Sequence, residues 1–121
     1  MTSSTSPRTR VKSDGRFLEL DEKDRTVKIG KRAAKLSPLE FDLLMAMANK
    51  FPEVVTYREL LESVWGSHAF DHKNYLKLYV YYLRLRLEEI PSSPQIIVTE
   101  RGRGYRLTVP VRHVHAQSEV R

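Results

Sequence analysis

Two short signatures constrain this chain more than anything else in it. Ser37-Pro38-Leu39-Glu40 and Thr56-Tyr57-Arg58-Glu59 each place a hydroxyl three residues ahead of a glutamate. At that spacing the hydroxyl accepts from the glutamate N–H, and the carboxylate accepts from the N–H of the hydroxyl residue. Two donors orphaned at a helix start are thereby satisfied reciprocally. Pro38 falls at the first helical position, where its missing N–H costs nothing. Behind the first box, Phe41, Leu44, Met45 and Ala48 share one face, which predicts a helix from Pro38 to about Lys50 that Pro52 stops. Behind the second, Leu60, Leu61, Val64 and Trp65 predict a shorter helix closed by Gly66. Val54-Val55 between them reads as a short extended piece.

A third helix is predicted over 72–90, with Asp71 as its N-cap and Pro91 as its stop. Leu76, Val80, Leu83, Leu87 and Ile90 recur at spacings of 4, 3, 4 and 3, the pattern of one buried stripe. The opposite side carries Asn74, Leu78, Tyr81, Tyr82 and Leu85, flanked by Lys73, Lys77, Arg84 and Arg86. No acidic residue lies between Lys73 and Leu87.

Strand patterns bracket the helices. Phe17–Leu20, Thr26–Ile29 and Arg32–Leu36 alternate or follow tight turns, which predicts a small antiparallel meander. Gln95–Thr99 and Tyr105–Val109 are β-branched runs around Glu100-Arg101-Gly102-Arg103-Gly104, a hairpin with a Gly-rich basic tip. Residues 1–15 are rich in Ser, Thr and Pro and contain Arg8, Arg10 and Lys12, the composition of a flexible basic arm or linker. The domain is therefore expected over 16–110, with a flexible tail over 111–121.

Composition narrows the function classes. The chain has no cysteine, which excludes disulfides, Cys-ligated zinc and thiol catalysis. Its histidines are scattered, so neither a metal nor another cofactor is expected. No nucleophile–base or paired-carboxylate pattern suggests an enzyme. No apolar run approaches the ~20 residues that span a membrane. The net charge of +6 suits a polyanion partner, although charge alone more often marks a solvated surface. A helix of about 10–12 Å diameter fits the major groove of DNA, and Arg101 or Arg103 at a hairpin tip suits a minor groove. The rival reading is a protein-interaction module that uses the Tyr-rich helix, since Tyr is enriched at interfaces.

The order of these elements adds specificity. Leu36-Ser37-Pro38-Leu39-Glu40-Phe41-Asp42-Leu43-Leu44 resembles the first-helix signature of the OmpR/PhoB-type response-regulator effector domain. Val55-Thr56-Tyr57-Arg58-Glu59-Leu60-Leu61 with Val64-Trp65-Gly66, Leu83-Arg84-Leu85-Arg86-Leu87-Glu88, and Arg101-Gly102-Arg103-Gly104-Tyr105-Arg106-Leu107 resemble its later blocks, in the same order. The resemblance covers about 17–109. It implies an α+β winged helix-turn-helix with an N-terminal four-stranded antiparallel sheet, three helices and a C-terminal β-hairpin wing. It also implies sequence-specific binding of double-stranded DNA in transcription regulation, in a bacterial-type cytoplasm. Members often bind direct repeats as tandem head-to-tail pairs.

For such a domain, base readout is expected from Asn74, Leu78, Tyr81 and Tyr82, and backbone positioning from Lys73, Lys77, Arg84, Arg86 and Thr99; of these, Arg84 and Thr99, with Arg101 in the wing, match recurrent positions of the family. Arg101 and Arg103 would serve the minor groove. Ser67, His68, Ala69 and Phe70, in the loop before the third helix, would contact RNA polymerase. Tyr82 and Asn74 stand where some members carry a base-reading Arg. Tyr75-Leu76-Lys77-Leu78-Tyr79 departs from the common Thr-Val-Asp-Val-His and is similar to the KdpE-like subgroup, associated with potassium-responsive control. Typical members also carry a phosphoryl-accepting receiver domain. A chain of 121 residues leaves no room for one, so no phosphoacceptor is expected here.

Overall fold

The computed structural model describes residues 16–66 and 72–114. An antiparallel meander comes first: β1 (Leu18–Asp21), β2 (Thr26–Ile29) and β3 (Arg32–Lys35). Then follow α1 (Pro38–Lys50), a two-residue β4 (Val55–Thr56), α2 (Tyr57–Trp65) and α3 (Lys73–Leu87). The chain closes with β5 (Ile97–Glu100), β6 (Gly104–Leu107) and β7 (Val111–Val114).

Both capping boxes form as their spacing predicts. Ser37 Oγ accepts from the Glu40 N–H at 3.2 Å while Glu40 Oε1 accepts from the Ser37 N–H at 3.0 Å. Thr56 and Glu59 repeat the exchange at 3.0 and 2.9 Å. α1 is the hub of the core, and it buries a wider arc than its expected stripe. Phe41, Leu43, Leu44 and Met47 are all buried, with Met45 and Ala48 packed at the edge. The reason is that α1 touches α2, α3 and the β4–β6 strands at once. Leu18, Leu20, Val27 and Ile29 close the core from the meander, and Leu76, Val80, Leu83 and Leu87 close it from α3.

Four strands do form the first sheet, but in the order β3-β2-β1-β7. The fourth comes from the C-terminal side and runs parallel to β1, pairing Leu18 with Val111 through Asp21 with Val114. The tail expected from residue 111 thus begins as a strand. The Leu18 N–H donates to Pro110 O at 2.9 Å. The Arg112 guanidinium lies 4.2 Å from the Phe17 ring centroid, and His113 Nδ1 is 3.6 Å from Glu22 Oε2. The strand is short, with Arg112-His113 at its centre, and its partner lies at the far end of the sequence, so no local pattern announces it. The arm over 1–15 and the remainder of the tail lie outside the described residues.

The third helix also ends earlier than predicted. Glu88 leaves the helix in an extended conformation, and its buried carboxylate accepts from the N–H groups of Gln95, Ile96 and Ile97 at 2.7–3.0 Å. This turns the chain toward β5 before Pro91 can act. Ile90 consequently leaves the stripe and is 59% exposed. At the other end His72 occupies the N-cap and makes no side-chain capping bond. Asp71, the expected cap, lies outside the described residues.

Candidate nucleic-acid interface

α3 presents three flanks around its buried stripe. Its outward row is Asn74, Leu78, Tyr81 and Leu85, all exposed, with the three larger side chains at 39%, 53% and 50%. On one side, Lys73 and Lys77 face the wing and the start of α2. Together with Tyr57, Arg58, Leu61, Leu76 and Gly102 they line an open groove of about 510 Å³. On the other side runs a chain of rings. Trp65 lies 6.3 Å from His72 and 6.1 Å from Tyr79, Tyr79 lies 5.3 Å from Tyr82, and Tyr82 lies 6.1 Å from Tyr81.

The wing is β5–β6, with β4 as a third strand beside β6. At its tip the Arg103 N–H donates to Glu100 O at 2.8 Å, and Gly102 takes φ +77°, a conformation that suits glycine. Gly104 meets a different demand. A Cβ there would stand 1.9 Å from Val55 O, so only glycine lets β6 pass β4 this closely. The Tyr57 N–H donates to Arg103 O at 3.1 Å, which ties the tip to the start of α2. Arg101 and Arg103 are exposed and make no ion pair among the described residues. Tyr105 packs edge-on against Tyr57 at 5.5 Å, and burial, with a smaller push from Tyr57, raises its hydroxyl pKa.

Each predicted site residue can now be located. Lys73, Asn74, Lys77, Leu78 and Tyr81 are exposed on α3, Thr99 is exposed on β5, and Tyr82 is half-buried in the ring chain. Arg84 and Arg86 are engaged within the fold instead. Arg84 donates Nε and Nη2 to Ile97 O at 3.1 and 2.8 Å and Nη2 to Thr99 Oγ1 at 3.0 Å, and its guanidinium lies 5.6 Å from the Tyr105 ring centroid. Arg86 Nε pairs with Glu40 Oε1 at 3.0 Å. Both flank the stripe as their positions imply, but their carboxylate and carbonyl partners are distant in sequence. Ser67, His68, Ala69 and Phe70 lie outside the described residues. Sequence reasoning missed Tyr57 and Arg58 as groove-lining residues. Their position inside a capping box, at the positive end of a helix, was the available signal.

Residues 30–107 match the protein family described as "Transcriptional regulatory protein, C terminal". The chain belongs to this family. Among curated relatives, the KDP operon transcriptional regulatory protein KdpE of Escherichia coli (strain K12) is 39% identical over 89 residues, which is 74% of this chain and 40% of KdpE. The DNA-binding response regulator MtrA of Mycolicibacterium smegmatis is 43% identical over 75 residues, 62% of this chain and 33% of MtrA. The chain therefore spans under half the length of these relatives. Among solved structures, the Klebsiella pneumoniae RstA DNA-binding domain in complex with the RstA box superposes with a TM-score of 0.64 at 26% identity, covering 74% of this chain and 88% of that one. The AdeR DNA-binding domain in complex with an intercistronic region gives 0.62 at 30% identity, covering 77% and 95%.

As an OmpR/PhoB-type effector domain, the chain has α2 and α3 as its helix-turn-helix pair and β5–β6 as its wing. The likeness to KdpE agrees with the subgroup resemblance in α3. The family match stops at residue 107, so β7 lies beyond it.

Proposed function

We propose that this effector domain binds double-stranded DNA sequence-specifically in transcription regulation, with α3 in the major groove and the wing at the adjacent minor groove. The observation that carries this reading is the alignment of the open row of α3 with Lys73 and Lys77 on its wing-side flank, beside the exposed Arg101 and Arg103. Lys73 and Lys77 neutralise phosphates and set register. Thr99 accepts from Arg84 and so keeps its own O–H free to donate to a phosphate oxygen. Arg84 and Arg86 act indirectly, by holding the wing and α1 against the reading helix. Arg101 and Arg103 enter the minor groove. Asn74, Leu78, Tyr81 and Tyr82 form the base-reading group, with Tyr82 supporting Tyr81 from behind.

The function is binding rather than catalysis. The loop holding Ser67, His68, Ala69 and Phe70 meets RNA polymerase in this reading, two copies sit head-to-tail on direct repeats, and a receiver domain supplies the signal. The setting is the cytoplasm and, when bound, the nucleoid. No described helix is long and apolar enough to cross a membrane.

Selection of duplexes from a random pool, followed by affinity measurement across salt concentrations, tests the proposal. An enriched sequence and a log–log salt slope of about −0.9 per phosphate contact are expected. A second reading, a protein-docking module, draws on the exposed Tyr75, Leu78 and Tyr81. Absence of duplex binding at low salt would replace the first reading with the second.

A further inference from the structure

The outward row of α3 holds no charge. Asn74, Leu78, Tyr81 and Leu85 supply one amide, two aliphatic side chains and one phenol. Guanine is best read by a bidentate Arg or Lys on O6 and N7. Arg84 is withdrawn from that task by Ile97 O and Thr99, and Arg86, though exposed, lies off the row and is anchored through Nε to Glu40. Lys73 and Lys77 lie on the wing-side flank, at the groove they share with Arg58 and Gly102. What faces the floor of a major groove is therefore matched to the A·T pair. An Asn amide can bond adenine N6 and N7 together, and an aliphatic side chain fits the thymine C5 methyl. Opposite a G·C pair the same leucines would strip water from O6, N7 and N4–H₂ without replacing their hydrogen bonds, a penalty that turns an apolar row into a discriminator. Tyr81 adds to the row from a supported position, because its neighbour Tyr82 is backed by Tyr79 and Trp65.

We propose that α3 reads an A·T-rich half-site chiefly through thymine methyl groups, with Leu78 and Leu85 as the methyl contacts and Asn74 as the single adenine contact. The inference rests on the DNA-binding reading above and specifies the ligand of that same surface. The lysines at the groove and the arginines at the wing tip supply the charge complementarity that brings a duplex, rather than an apolar partner, onto the row.

The test uses the full 121-residue chain and the duplex it selects from a random pool. Each thymine of the selected site is replaced in turn by deoxyuridine, which removes the methyl and leaves the pairing edge intact. A loss of about fourfold per contacted methyl is expected, the value of burying one such group. Leu78→Ala and Leu85→Ala should each abolish sensitivity at one thymine while leaving the salt slope unchanged. Both side chains are exposed, so the variants fold. A selected site that is bound equally well with deoxyuridine, or one rich in G·C beneath α3, overturns the inference and leaves the DNA-binding reading standing. Failure to select or bind any duplex overturns both.

Discussion

The two ends of α3 are built by opposite rules. At the C-terminal end every polar opportunity is taken. Basic side chains stand in the last turn, where the helix dipole favours them, and each has a defined partner. Glu88 then gathers three backbone N–H groups in a buried turn. At the N-terminal end the opportunities are left open. His72 makes no side-chain capping bond, the first turn holds no acid, and a lysine stands where the dipole disfavours one. One end of the helix is optimised for stability. The other carries a lysine at its positive pole, an arrangement that local stability alone would not select.

The contrast can be broken most severely at Glu88. Replacing it with Ala leaves the two buried backbone donors of Ile96 and Ile97 and the part-buried donor of Gln95 without this partner, and a loss of about 3–5 kcal/mol is expected in urea unfolding. A loss under about 1 kcal/mol would show that this end is not the anchor described. Arg86→Ala should cost less, about 1 kcal/mol, because the arginine is partly exposed while Glu40 keeps its bond to the Ser37 N–H. It should leave the salt slope of duplex binding unchanged, whereas a phosphate-contacting arginine would lower that slope by about 0.9.

The N-terminal end sharpens the comparison through opposite signs. Lys73→Glu should stabilise the fold by about 0.3–1 kcal/mol through the dipole. The same variant should weaken duplex binding and lower the salt slope by about 0.9, measured in parallel with thermal unfolding. The smallest effect belongs to α2, a helix boxed as α3 is not. The Thr56 N–H and then Lys50 hold the Glu59 carboxyl below its ordinary value of 4.5. A depressed pKa in the folded state stabilises above the unfolded value and is lost as pH falls through the folded one. Glu59→Gln should therefore flatten the acid limb of the stability curve below about pH 4.5, with its small loss of stability seen at neutrality and vanishing once the pH falls below the folded-state value.

These two ends also mark where sequence reading succeeds. Both boxes, the stripe from Leu76 to Leu87 and the turn at Gly102 are set by residues within one or two helical turns of each other, so spacing reveals them. The residues left exposed by that stripe, Asn74, Leu78 and Tyr81 among them, followed from the same periodicity. The partners of Arg84, Arg86 and Glu88 are another matter. Arg86 and Glu40 meet only because α1 and α3 pack together, and Glu88 finds its donors only after the chain has turned back. The stop at Leu87 was missed for that reason, since Pro91 was the louder local signal. The strand β7 was missed because a parallel pairing across nearly the whole sequence writes no pattern into its four residues.

That pairing has a mechanical consequence. β1 and β7 run in the same direction, so Leu18 and Val114 mark opposite ends of the shared ladder. Tension applied between those two residues would slide the strands along each other and load all their hydrogen bonds together. The same tension across the antiparallel β1–β2 hairpin would open its ladder one bond at a time. A pull through its terminal strands therefore meets this domain in its more resistant direction.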